Sequence, residues 1–207
     1  MLNNIEITSG DILLSGGAAG ADTAFGKAAH KAGHQVVHWS FNGHKVKLKN
    51  NVYALTDEQL KEADPFLIRA NKSIVRTFPA SSEHTNNLLR RNYFQVKWSQ
   101  SVYAVSSFTD DSSMMKVFGG TAWAIQLYAD RFLYDREPFD NCHLYLFDQK
   151  SDQWFQWNRS WTKIQTPPCP QGVYAGIGSR ELTDAGLAAI NSLYVMDAEA
   201  SLPQDSA

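Results

Sequence analysis

The 207-residue chain is 43% hydrophobic and 19% charged, with a formal net charge of -2, the balance of an ordinary globular protein. That balance argues against a molecule built around a nucleic-acid backbone, which needs a concentrated basic surface. No run of eighteen apolar residues exists to span a membrane, and the opening Met1–Glu6 has neither the basic nor the apolar region of a signal peptide.

The first predicted element is a buried strand, Asp11–Ser15, running into glycines. Asp22 is placed to cap the helix that follows, where Ala24, Phe25, Ala28, Ala29 and Ala32 recur at helical spacing and Gly33 supplies the stop. Gln35–Trp39 is a second strand, parallel to the first, and Ser40–Val52 reads as a polar loop. Thr56-Asp57-Glu58-Gln59 is a capping box. Pro65 opens a helix through Ile74 that Pro79 ends, and a further helix covers Thr85 to Trp98. Ser101–Ser106 is a strand, and Gly119-Gly120-Thr121 opens a helix through Asp130.

Cys142–Phe147 is the next strand, and Trp154–Trp161 alternates bulky and polar residues as a short hairpin arm. After the Pro167–Pro170 punctuation come a last strand, Val173–Gly176, and a last helix, Leu182–Met196, with a frayed polar tail from 197 to 207. Strands alternating with helices specify an α/β protein, a Rossmann-like doubly wound and mostly parallel sheet, in a single domain over residues 1–196.

Three strand ends carry glycines directly before a helix: Ser15-Gly16-Gly17-Ala18-Ala19-Gly20-Ala21-Asp22, Gly119-Gly120-Thr121, and Gly176-Ile177-Gly178-Ser179-Arg180. Ligands of parallel sheets sit at the carboxyl ends of the strands. Glycines there let backbone N–H groups approach an anion, and a helix N-terminus adds a favourable field. A single such turn is as readily a plain tight turn; three in the same context favour a ligand. No Gly-Lys-Ser/Thr ending and no Gly-x-Gly-x-x-Gly is present. Phosphates are therefore expected on backbone amides, with Ser15, Thr121, Ser179 and Arg180 as side-chain donors.

Those turns, with Leu89-Arg90-Arg91-Asn92-Tyr93-Phe94-Gln95-Val96, resemble the SLOG superfamily. This Rossmann-like group contains the cytokinin-activating Lonely Guy hydrolases, the DNA-processing protein DprA and nucleotide-sensing domains of defence systems. The likeness is greatest to its small stand-alone members, frequent in bacteriophages. In the relatives the Tyr-Ala-Gly-Ile-Gly-Ser-Arg unit comes first. Here it is Tyr174–Arg180, so the chain looks circularly permuted, as close termini permit.

The resemblance implies one pocket lined by all three turns, holding a nucleotide or nucleotide-derived signal. The related hydrolases carry a glutamate three residues after the threonine of their Gly-Thr turn; here Ala124 stands there, removing the evident acid–base group. Binding, with possible sequestration, is therefore expected over hydrolysis or transfer at an N-glycosidic or phosphate bond. A DprA-like single-strand DNA binder is the weakest alternative, given the acidic balance.

Arg91 is suited to a bidentate oxyanion contact or to a surface salt bridge, and Asn92 to a base edge or a local turn. His30, His34, His38 and His44 form no compact ligand set, so no metal is expected, and nothing calls for a cofactor. Trp39 and Phe41 either stack on a ligand or close the core. Trp154, Trp157 and Trp161 suggest a homodimer contact, or packing on their own domain. Cys142 and Cys169 read as free thiols of a cytoplasmic protein.

Overall fold

The computed structural model describes residue 5 and residues 10–109 and 116–195. The helix end expected at Met196 and the tail from 197 lie outside these residues.

One eight-stranded sheet carries the fold, in the order β3-β2-β1-β8-β4-β5-β6-β7. Its strands are β1 (Ile12–Ser15), β2 (Gln35–Phe41), β3 (Val52–Leu55), β4 (Ser101–Ser106), β5 (His143–Asp148), β6 (Gln153–Trp157), β7 (Trp161–Ile164) and β8 (Val173–Gly178). The six strands from β3 to β5 in that order pair in parallel; β6 and β7 are antiparallel. β8, the last in the chain, lies at the centre, paired to β1 on one side and β4 on the other. The α/β, mostly parallel, Rossmann-like architecture read from the sequence is the observed one.

Period-two alternation divides the sheet between two apolar layers. Leu13, Tyr103, Val105, Tyr145, Phe147 and Tyr174 meet α1 (Ala21–Lys31) and α6 (Asp184–Ser192) on one face. Val102, Ala104, Leu144, Leu146, Ala175 and Ile177 meet α3 (Asp64–Ile74), α4 (Glu83–Val96) and α5 (Thr121–Leu133) on the other. Strands buried on both faces read as near-continuous apolar runs for this reason.

Local chemistry sets the helix starts. Thr56 and Gln59 form the reciprocal capping box at α2 (Asp57–Lys61). Ser82 accepts from Thr85 N at α4, and Thr183 accepts from Gly186 N at α6, each satisfying an amide that the helix leaves open. Asp22 does not cap α1: the N-cap is Gly20, at φ 86°, and Asp22 lies inside the first turn. α3 stops at Ile74, where Val75 takes the left-handed conformation at φ 52°, before Pro79 is reached. β2 runs two residues beyond Trp39, and β3 forms at the end of the segment read as loop.

The aromatic hairpin is no separate arm. β6 pairs with β5 and extends the sheet. Trp154 is buried in one core layer, and Trp157 and Trp161 pack half-buried against the other. Their own domain accounts for the three indoles. At the opposite end of the central strands, Tyr174 Oη lies 2.8 Å from His34 Nδ1 and donates to Tyr194 Oη at 3.2 Å. His34 Nε2 in turn lies 3.9 Å from Asp11, so the end of α6 sits beside the start of β1.

Candidate functional site

A cavity of about 780 Å³ opens at the carboxyl ends of β1, β8, β4 and β5. Segments of all three glycine turns reach it: Ala18 and Asp22 from the first, Gly119, Gly120 and Thr121 from the second, and Gly178, Ser179 and Arg180 from the third. The face of α4 that carries Leu88, Arg91, Asn92 and Gln95 forms its side wall. Ser15, Gly16, Gly17, Gly20 and Gly176 are not among its lining residues; they shape the turns from behind.

The first turn is folded around Asp22. The backbone N–H groups of Gly16, Ala18 and Gly178 are near enough to favour the charged form of its carboxyl, so these amides are turned towards a resident group of the chain. Ser15 is fully buried; its hydroxyl donates to Asp22 O at 3.2 Å and accepts from Gly17 N at 3.3 Å. The expected phosphate donor is thus an internal brace. Gly17 needs its positive φ of 61° and leaves no room for a side chain against His38 and Val46. A Cβ on Gly176 would lie 2.6 Å from the Phe25 ring, so this glycine lets α1 approach the sheet.

Arg91 is neither a surface residue nor free to leave the wall. It lies 3.7 Å from Asp22, donates to Gly16 O at 2.7 Å, contacts His44 Nε2 at 3.2 Å and donates to Asn92 Oδ1 at 3.3 Å. Burial is the largest influence on both members of the pair. It raises the Asp22 carboxyl against the pull of Arg91 and the three amides, and lowers the Arg91 guanidinium against the pull of Asp22. Burial and the Arg91 charge push both His38 and His44 down to about 4. Both imidazoles are therefore neutral near pH 7, leaving His44 Nε2 able to accept from Arg91.

The three turns are tied into a closed ring. Asn92 Nδ2 donates to Gly120 O at 3.3 Å, joining the first turn's Arg91 to the second turn. Ser106 Oγ donates to Phe118 O at 3.4 Å and accepts from Ser179 Oγ at 3.0 Å, joining the second turn to the third. Ala21 N donates to Ser179 O at 3.0 Å, joining the third to the first. Asn92 and Ser179 thus each engage one side-chain hydrogen in the ring while still lining the cavity.

The second turn remains open. α5 begins at Thr121 with Gly120 as N-cap and no side-chain cap, although Trp123 N already donates to Gly120 O at 3.1 Å. A Cβ on either Gly119 or Gly120 would meet nothing within 4 Å. From behind, Arg76 grips this turn, donating to Gly119 O and, at 3.0 Å, to Val117 O. Exposed Arg180 and Lys150 stand at the rim with Phe118, which is 64% exposed. Ala124 lies inside, 2% exposed, and presents only a methyl group to the cavity.

Sequence reasoning missed Gln95, Phe118, Gln149 and Lys150, all of which line the cavity. Gln95 was the most accessible of them: it falls one helical turn beyond Arg91 and Asn92, on the same face. Trp39 and Phe41 close the core, fully or nearly fully buried. Among the described residues no three His, Cys, Asp or Glu side chains are grouped as a metal site, and no helix is long and apolar enough to cross a membrane. No family model, curated protein or solved structure matches this chain.

Proposed function

We propose that the protein binds a nucleotide or nucleotide-derived ligand in this cavity and holds it without cleaving it. The observation that carries the reading is the convergence of the three glycine turns on one cavity, with the uncapped start of α5 as its open anion seat. At about 780 Å³ the space falls within the roughly 300–1,000 Å³ typical of small-molecule sites. A phosphate sits on the amides from Gly119 to Thr121, with Arg180 at the rim. Asp22 already fills the amide nest of the first turn, so that turn serves as wall. Ala124 supports retention over hydrolysis.

We read the chain as a circularly permuted SLOG-type domain. The central position of β8 and the closeness of Tyr194, His34 and Asp11 support a relocated opening unit. Sequestration of a signalling nucleotide is the role this suggests.

The test is calorimetry with nucleoside mono- and diphosphates, ADP-ribose and cyclic nucleotides on the native chain and on Gly120→Asp. The new carboxylate caps α5 and occupies the anion seat, so folding is preserved or strengthened while binding falls at least tenfold. Unchanged affinity in Gly120→Asp refutes the placement. Mass spectrometry of the same mixtures checks retention: a cleaved product refutes it.

A further inference from the structure

Gln95 is 1% exposed, lines the cavity from α4, and its Nε2 has no hydrogen-bond partner among the described residues. Its polar neighbours on the wall are committed elsewhere. Asp22 faces three amides, Arg91 holds Gly16 and Asp22, and Asn92 bridges Arg91 to Gly120. Arg91 Nε is likewise unpartnered, but the rest of that guanidinium is engaged, whereas no atom of the Gln95 side chain makes a hydrogen bond among the described residues. Buried polar groups without partners are scarce in native proteins, and an unmet one points to a group supplied from outside.

The surroundings say what kind of group. Leu88 and Leu89 on α4, Ile177 on β8 and Ala124 on α5 give the same cavity apolar walls. Such walls accept a flat ring, with one or two placed polar groups setting its orientation. A carboxamide presents a donor and an acceptor side by side, and pairs in two-pronged fashion with an edge offering the reverse. The anion seat from Gly119 to Thr121 lies elsewhere on the same cavity, on α5.

We infer that Gln95 reads the ligand's base: its carboxamide pairs with a nucleobase edge bearing an adjacent donor and acceptor, while α5 holds the phosphate. This rests on the nucleotide reading above and adds to it the residue that sets base preference.

The experiment measures affinities of AMP, GMP, CMP and UMP for the native chain, beside purine riboside 5′-monophosphate, which lacks the exocyclic donor and acceptor. The same panel is run on Gln95→Leu and Gln95→Met, with melting temperatures taken without ligand. The native chain is expected to favour at least one of the four over the purine riboside by about tenfold, the discrimination of one good two-pronged contact. Both variants are expected to lose that preference, to keep the weaker purine riboside affinity, and to melt at the native temperature or above, since an apolar chain relieves the unpaired amide. A merely structural amide would instead lower the melting temperature of both variants and leave the preference intact. A native chain that binds nucleotides without preference over the purine riboside, or variants that keep the native preference, overturns the role of Gln95 alone. A native chain that binds none of the five overturns the nucleotide reading and this inference with it.

Discussion

Arg91 and Asp22 face each other at 3.7 Å inside the molecule, and the pair holds the first glycine turn shut from within. Removing one member leaves a buried charge without its partner, which costs about 3–5 kcal/mol. Arg91→Met is expected to lose that much in urea unfolding at neutral pH, and Asp22→Asn in the same chain to restore a substantial part of it.

The pH dependence of that loss follows from Asp22. Folding raises its carboxyl above the ordinary value. A raised carboxyl contributes stability below its unfolded value and loses it as pH climbs through the folded one. Without Arg91 the folded value rises further, so the gap between native chain and Arg91→Met narrows over the pH range between the two folded values as pH falls. A gap that stays constant over that range shows that the charge of Asp22 is not what Arg91 offsets.

His38 and His44 act in the opposite sense. Both are pushed down to about 4 from the ordinary 6.5. Their stabilisation is present above pH 6.5 and is lost as pH falls from 6.5 through 4, because the unfolded chain takes up protons first. His44→Asn is expected to give a shallower fall of the urea midpoint across that window than the native chain.

The glycines separate into those that fold the site and those that serve it. Gly176→Ala drives a methyl into the Phe25 ring and is expected to destabilise by about 1–3 kcal/mol. Gly120→Ala meets open space in an already helical conformation, φ -66° and ψ -25°, and is expected within about 0.5 kcal/mol of native. Thermal denaturation of the two variants checks the contrast.

Arg76→Ala removes both donors that grip Gly119 O and Val117 O. Amide hydrogen exchange at Phe118, whose N–H donates to Ser107 O at 2.8 Å, is expected to speed up roughly tenfold, the equivalent of about 1.4 kcal/mol, with β1 and β8 unaffected. Equal acceleration throughout the sheet would point to global loosening instead.

Much of this was legible because backbone requirements mark the sequence. Glycine-terminated apolar runs located β1 and β8, and the capping box at Thr56 located α2. The short edge strand β3 escaped because only Leu55 of its four residues is buried, which leaves no alternation to see. Asp22 was misread because a short carboxylate near a helix start suits capping and amide-nest binding equally; the conformation of Gly20 decides between them. Arg91 left an oxyanion contact and a surface salt bridge equally open because Asp22, which it faces, is distant in sequence. Gln95 offered only its place one helical turn beyond Arg91 and Asn92; that its amide lacks a partner emerges once the helix face is assembled.

The central place of β8 governs when this architecture can exist. Until residues 173–178 emerge from the ribosome, β1 and β4 have no common neighbour, and the chain holds two half-sheets with unpaired inner edges. Such edges invite wrong pairing, and closing them requires contacts of long sequence separation, which form slowly. The third glycine turn arrives with the same strand. A cavity walled by all three glycine turns therefore exists only in a chain synthesised through β8.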